Sequence, residues 1–149
     1  ILALAPYCDG EDVGEAWCAH QWVANLARHA HVTLLTLRRK DRTPPSVQLP
    51  HVEVVEWDEI LSSGRFNRLA SMMKPGYLGY YAAARRWISG ALASGRQFDI
   101  AHQFSPIALR YPSPLAEFSI PYVIGPLGGS LETPAGFAEE CRSSSWYRD

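Results

Sequence analysis

Ile1 to Trp17, ILALAPYCDGEDVGEAW, runs from an apolar stretch through a turn rich in Asp, Gly and Glu into the start of a helical pattern. The order is strand, glycine-bearing loop, helix. In a parallel α/β sheet, ligands bind outside the carboxyl ends of the strands, and this loop falls at one such end, under the first turn of a helix. Helix start turns carry unpaired N–H groups and partial positive charge, which suit phosphate or carboxylate. Ligand contacts are therefore expected near Asp9 to Glu15. Gly10 and Gly14 make neither the GxGxxG nor the GxxxxGK[ST] spacing, so neither a dinucleotide site nor a P-loop is indicated. Turn formation alone accounts for both glycines equally well.

The remaining elements follow in order. Glu15 to Ala30 places Ala19, Val23, Leu26, Ala27 and Ala30 on one face of an amphipathic helix, with Asp12 as the expected N-cap and Glu15 three residues on as its partner. His31 to Leu37, HVTLLTL, has almost no polar face and reads as a strand buried on both sides of a parallel sheet. Arg38 to Arg42, followed by Pro44-Pro45, reads as a basic, solvated loop. His51 to Trp57 alternates like a strand nearer an edge.

Ile60 to Lys74 reads as a weak helix ending at Pro75-Gly76, and Tyr77 to Ala93 as a longer one stopped by Gly95. Both mix basic and aromatic residues, so peripheral contact with anionic lipid head groups stands beside ordinary packing as an explanation. Phe98 to Phe104, FDIAHQF, is the fourth strand, broken by Ser105-Pro106. A short irregular connection through Tyr111 to Pro114 leads to a fifth strand, Pro121 to Ile124, and a Gly-rich turn, Gly125 to Ser130; Pro134 to Glu140 then starts a helix.

Strands alternating with helices predict an α/β, Rossmann-like parallel sheet with helices on both faces. Asp9 to Glu15, His102 to Ser105 and Gly125 to Ser130 then gather on one edge, around a crevice.

Composition narrows the classes. The 149 residues suit one domain, and 14 basic against 15 acidic residues with 11% aromatics argue against both disorder and non-specific nucleic-acid binding. Cys8, Cys18 and Cys141 form no metal-ligand spacing, so no metal is expected, and the odd count suits reduced thiols and a cytoplasmic setting. No apolar run approaches the roughly 18 residues of a membrane span. The chain starts without Met inside a strand pattern and ends after Ser143-Ser144-Ser145-Trp146-Tyr147 without a closing element, which reads as one domain, residues 1–149, of a longer protein.

The opening strand, the Gly14-Glu15 helix start, FDIAHQFSP, and IPYVIGPLGGS followed by Glu132, Pro134 and Phe137 together resemble the N-terminal domain of group 1 glycosyltransferases, the retaining GT-B enzymes of family 4. The resemblance spans nearly the whole chain in several short motifs. It implies the N-terminal half of a two-domain enzyme whose cleft separates two Rossmann-like halves, the first mainly holding the acceptor and the second a nucleotide-sugar donor. By motif position, Gly14 and Glu15 match the loop that approaches the donor diphosphate. His102 matches the His that faces the transferred sugar, and Gly128, Gly129 and Ser130 match the turn beside the acceptor. The run of glycines usual before Gly14 is missing.

The implied chemistry fits these residue types. Departure of a nucleoside diphosphate builds negative charge that N–H groups at a helix start can stabilise without a metal, and a neutral His can hydrogen-bond the hydroxyls of an oxocarbenium-like sugar. A non-catalytic, flavodoxin-like module binding a nucleotide or small molecule is the alternative, and an interaction domain whose glycines only make turns is a third reading.

Overall fold

The structure, a computed structural model, describes residues 1–59, 75–108 and 110–128. The expected helices at Ile60 to Lys74 and from Pro134, together with Gly129, Ser130 and Cys141, lie outside the described residues. Five strands, β1 (Leu2–Leu4), β2 (Thr33–Arg38), β3 (Glu53–Asp58), β4 (Ala101–Gln103) and β5 (Tyr122–Ile124), form one sheet in the order β3-β2-β1-β4-β5. Every pairing is parallel, with Ala3 beside Leu34 on one side and beside His102 on the other. The chain winds outward from β1 in one direction, then returns past it and continues in the other.

The layering follows from the two-residue alternation of the central strand. Leu2 and Leu4 pack with Leu35 and Leu37 against Tyr80, Ala84 and Ile88 of a long helix. Ala3 and Ala5 pack with Leu34 against Ala19 and Val23 of the first helix. These helices are α1 (Glu15–Leu26) and, after a short α2 (Pro45–Gln48), α3 (Pro75–Ala93). The two large helices thus cover opposite faces, and the fold is α/β and Rossmann-like. Leu2, Leu4, Leu34 and Leu35 are fully buried, each worth about 1.5–3 kcal/mol relative to exposure.

β2 is buried along its length except at Arg38, whereas β3 is partly exposed because it forms the sheet edge. The Tyr80 hydroxyl, deep in the core, donates to the Leu35 carbonyl at 3.0 Å, so its burial leaves no unpaired donor. At the edge away from the strand carboxyl ends, Arg96 bonds Glu53 and the Thr33 hydroxyl while lying over the Trp87 and Phe98 rings.

Several boundaries differ from the sequence expectations. Pro75 and Gly76 belong to α3, two residues before its expected start at Tyr77. Gly95 does end α3's segment, at φ +85°. β4 keeps three residues of the expected seven. The segment after Arg42 is not wholly loop, because Pro44 and Pro45 start α2. The connection before β5 contains a 3₁₀ turn, Pro114–Glu117, whose first free N–H, that of Leu115, is taken by the Ser113 hydroxyl.

A pocket at the sheet's switch point

Because β2 and β4 flank β1 and their connections leave in opposite directions, a crevice opens at the carboxyl ends of β1 and β4. A pocket of about 300 Å³ occupies it. One wall is α1: Glu15, Cys18, Ala19 and Trp22 recur at three- and four-residue spacing and so share a face. The facing wall is Phe104 and Ile107 after β4 and Pro126 after β5, and Gly14 closes one end.

Local geometry explains the entrance to α1. Gly14 is the N-cap, at φ 66° and ψ −132°, a conformation open to glycine and strained for other residues. Among the described residues no side chain caps the helix. The expected cap, Asp12, is engaged elsewhere: its carboxylate accepts from the Val13 N–H at 2.9 Å, pairs with Arg39 and has Arg42 at 4.0 Å. The Val13 bond first, then Arg39, hold its carboxyl below the usual range. A tertiary ion pair has displaced the capping box, and the supposed solvated loop supplies its cations. Arg39 also lies over the Tyr7 ring at 4.4 Å.

The loop between β1 and α1 is held from outside by α2. Gln48 accepts from the Gly10 N–H at 2.7 Å and donates to Asp9 Oδ1 at 3.0 Å and to the Thr43 carbonyl at 2.8 Å. Asp9 Oδ1 also accepts from the Glu11 N–H, so this buried carboxylate is bonded within the loop it organises. Cys8 is buried beside it; desolvation, then the Asp9 charge, push its thiol up to about 12. Cys18, in contrast, is exposed.

His102 sits in the middle of β4 on the face shared with Ala3. Its Nε2–H donates to the Gly125 carbonyl at 2.9 Å, which leaves Nδ1 deprotonated in the neutral ring. Half-burial lowers its pKa from 6.5, opposed by that bond, so the neutral form prevails near neutral pH. The ring lies against Phe104, centroids 3.8 Å apart, and edge-on to Trp22 at 6.1 Å. His102 therefore contacts both aromatic walls without lining the pocket itself.

Gly128 packs closely on Ile107: a Cβ there would fall 2.9 Å from Ile107 Cδ1 and push the tip of that side chain aside. Its N–H donates to the Ile107 carbonyl, and that of Gly125 to the Gln103 carbonyl. These bonds draw the turn after β5 onto the loop after β4 and seat Ile107 and Pro126 together.

Of the residues singled out from the sequence, Gly14 and Glu15 line the pocket, while His102 and Gly128 brace its far wall. Phe104 and Pro126 fall within the strand ends expected to gather at the crevice, whereas Trp22 and Ile107 were not anticipated as its lining. The spacing of Glu15, Cys18 and Trp22 along one helix is the signal that could have found Trp22; Ile107 shares the loop after β4 with Phe104, and no local pattern marks it. Among the described residues no cluster of three or more His, Cys, Asp or Glu could hold a metal, and no helix is long and apolar enough to cross a membrane.

The fold and pocket define a doubly wound α/β domain with a pocket at its switch point. Comparison with protein-family models, curated proteins and solved structures gave no match to the chain.

Proposed function

We propose that this chain is the acceptor-side half of a retaining, nucleotide-sugar-dependent glycosyltransferase. The observation that supports this reading is the meeting, at one pocket, of the α1 start with the loops after β4 and β5. The family resemblance adds the reaction. In this reading the backbone at Gly14 and Glu15 borders the donor's diphosphate, where N–H groups at a helix start offset the charge that develops as the diphosphate leaves. Gly14 keeps the approach open, since nothing lies within 4 Å of where its Cβ would stand.

His102, neutral and directed by Gly125, holds Phe104 and the turn after β5 in place beside the transferred sugar. Gly128 lies on the acceptor side, in the motif to which the resemblance also assigns Gly129 and Ser130. A second α/β half holds the nucleoside and completes the cleft, and bringing donor and acceptor together in one closed site is worth several powers of ten in rate.

The test is sugar transfer from a panel of nucleotide sugars. The 149-residue chain alone is expected to show none, and the chain joined to a donor-binding half is expected to transfer. Tight nucleotide-sugar binding without transfer by the chain alone would overturn the reading in favour of a self-contained binding module, and sustained transfer by the chain alone would overturn the half-enzyme reading.

A further inference from the structure

We propose that the switch-point pocket takes a planar aromatic ring, so that the acceptor is a hydroxyl-bearing aromatic compound and not a sugar. The inference rests on the transferase reading for the word acceptor; the pocket's preference stands on its own walls.

Three observations carry it. First, among the described residues the lining is apolar: beyond Glu15, its polar side-chain groups are the Trp22 indole N–H and the weakly donating Cys18 thiol. A pyranose brings several hydroxyls, and each one buried without a partner costs roughly 1–3 kcal/mol. A flat ring carrying one hydroxyl loses far less. Second, two walls are themselves flat rings at a small mutual tilt: Trp22 and Phe104 lie 28° from parallel with centroids 6.2 Å apart. Trp22 keeps 49% of its surface exposed, although it is among the largest apolar side chains in the protein. Phe104 and His102 already cover part of the indole, and the part they leave exposed is where a further ring stacks. Third, about 300 Å³ is at the lower end of ligand pockets, enough for one or two fused rings and short for an extended lipid chain.

Transfer at this site balances simply. The bond between the sugar's anomeric carbon and the diphosphate oxygen breaks, a bond from that carbon to the acceptor oxygen forms, and the acceptor's proton leaves with the diphosphate.

Cys18 lines the pocket and is exposed, which makes it a reporter of occupancy. In a Cys141→Ser chain, its alkylation by iodoacetamide is followed by intact mass spectrometry with umbelliferone, methyl glucoside or octanol present. Umbelliferone is expected to slow alkylation saturably, and the other two are not. Trp22→Ala is expected to weaken umbelliferone binding about tenfold, while Trp22→Phe, which keeps a stacking face, restores most of it; circular dichroism melts establish that both variants fold. No protection by umbelliferone, equal protection by methyl glucoside or octanol, or unchanged binding in a folded Trp22→Ala chain would overturn the inference. Because the readout is binding, a failure of sugar transfer in the joined enzyme counts against the transferase reading alone.

Discussion

His102 Nε2–H donates to the carbonyl oxygen of Gly125, 2.9 Å away, and so ties the middle of β4 to the turn that follows β5. Burial lowers this histidine's folded-state pKa below its unfolded value of 6.5. The unfolded chain therefore binds the proton more readily, and His102's contribution to stability is complete above pH 6.5 and is lost as pH falls through the folded pKa. Thermal melts across that window are expected to show a loss of stability on acidification that His102→Phe reduces. An NMR titration placing the His102 pKa above 6.5 would contradict it.

His102 also separates a structural role from a catalytic one. His102→Phe keeps a ring against Phe104 and Trp22 while removing the bond to Gly125, at a cost of about 1 kcal/mol. In the joined enzyme, His102→Ala is expected to lower turnover strongly with the fold intact. Turnover that matches the unsubstituted enzyme would leave this residue a brace for the β5 turn.

Gly14→Ala tests the entrance to α1. The added methyl meets no atom, so its cost is backbone strain at φ 66°, about 1–3 kcal/mol. A lowered melting temperature with unchanged helix content is the expected result. An unaltered melt would show that the loop relaxes freely.

The two described thiols differ in burial. At mildly alkaline pH, Cys18 is expected to alkylate readily, and Cys8 only on unfolding, because burial and the Asp9 charge keep it protonated. Peptide mapping after brief labelling distinguishes them; equal labelling of the two in the folded chain would mean that the β1–α1 loop opens.

Gln48 bonds both Gly10 and Asp9 with one carboxamide. Gln48→Ala leaves the partly buried Gly10 N–H and Asp9 carboxylate short of partners and is expected to cost about 1–3 kcal/mol. Gln48→Glu sets a second carboxylate against Asp9 and costs more. Amide exchange at Gly10 should accelerate in both, and protection equal to that of the parent chain would refute the clamp.

Much of the architecture was legible in the chain because strand and helix periods are local. The run HVTLLTL, with almost no polar face, announced a strand covered on both sides, and β2 is one. The polar or glycine-rich breaks after three strands marked the edge where the pocket lies. Less legible was β4, where seven strand-like residues yield three: Phe98 turns to pack by Trp87 and Arg96, and Phe104 leaves the strand to wall the pocket.

By itself, then, the sequence determined the alternation of strands and helices, the parallel sheet, and the division of Leu2 and Leu4 from Ala3 and Ala5 onto opposite faces, since each depends on spacings of two to four residues. Only the tertiary structure decided that Gly14 and not Asp12 begins α1, that Gln48 holds the first loop, and that Trp22, Phe104, Ile107 and Pro126 share one pocket. Those outcomes depend on which loops the sheet order brings side by side. Arg39 reaches Asp12 because β2 lies next to β1, and Pro126 reaches Ile107 because β5 lies next to β4; hydrophobic periodicity carries no information about either meeting.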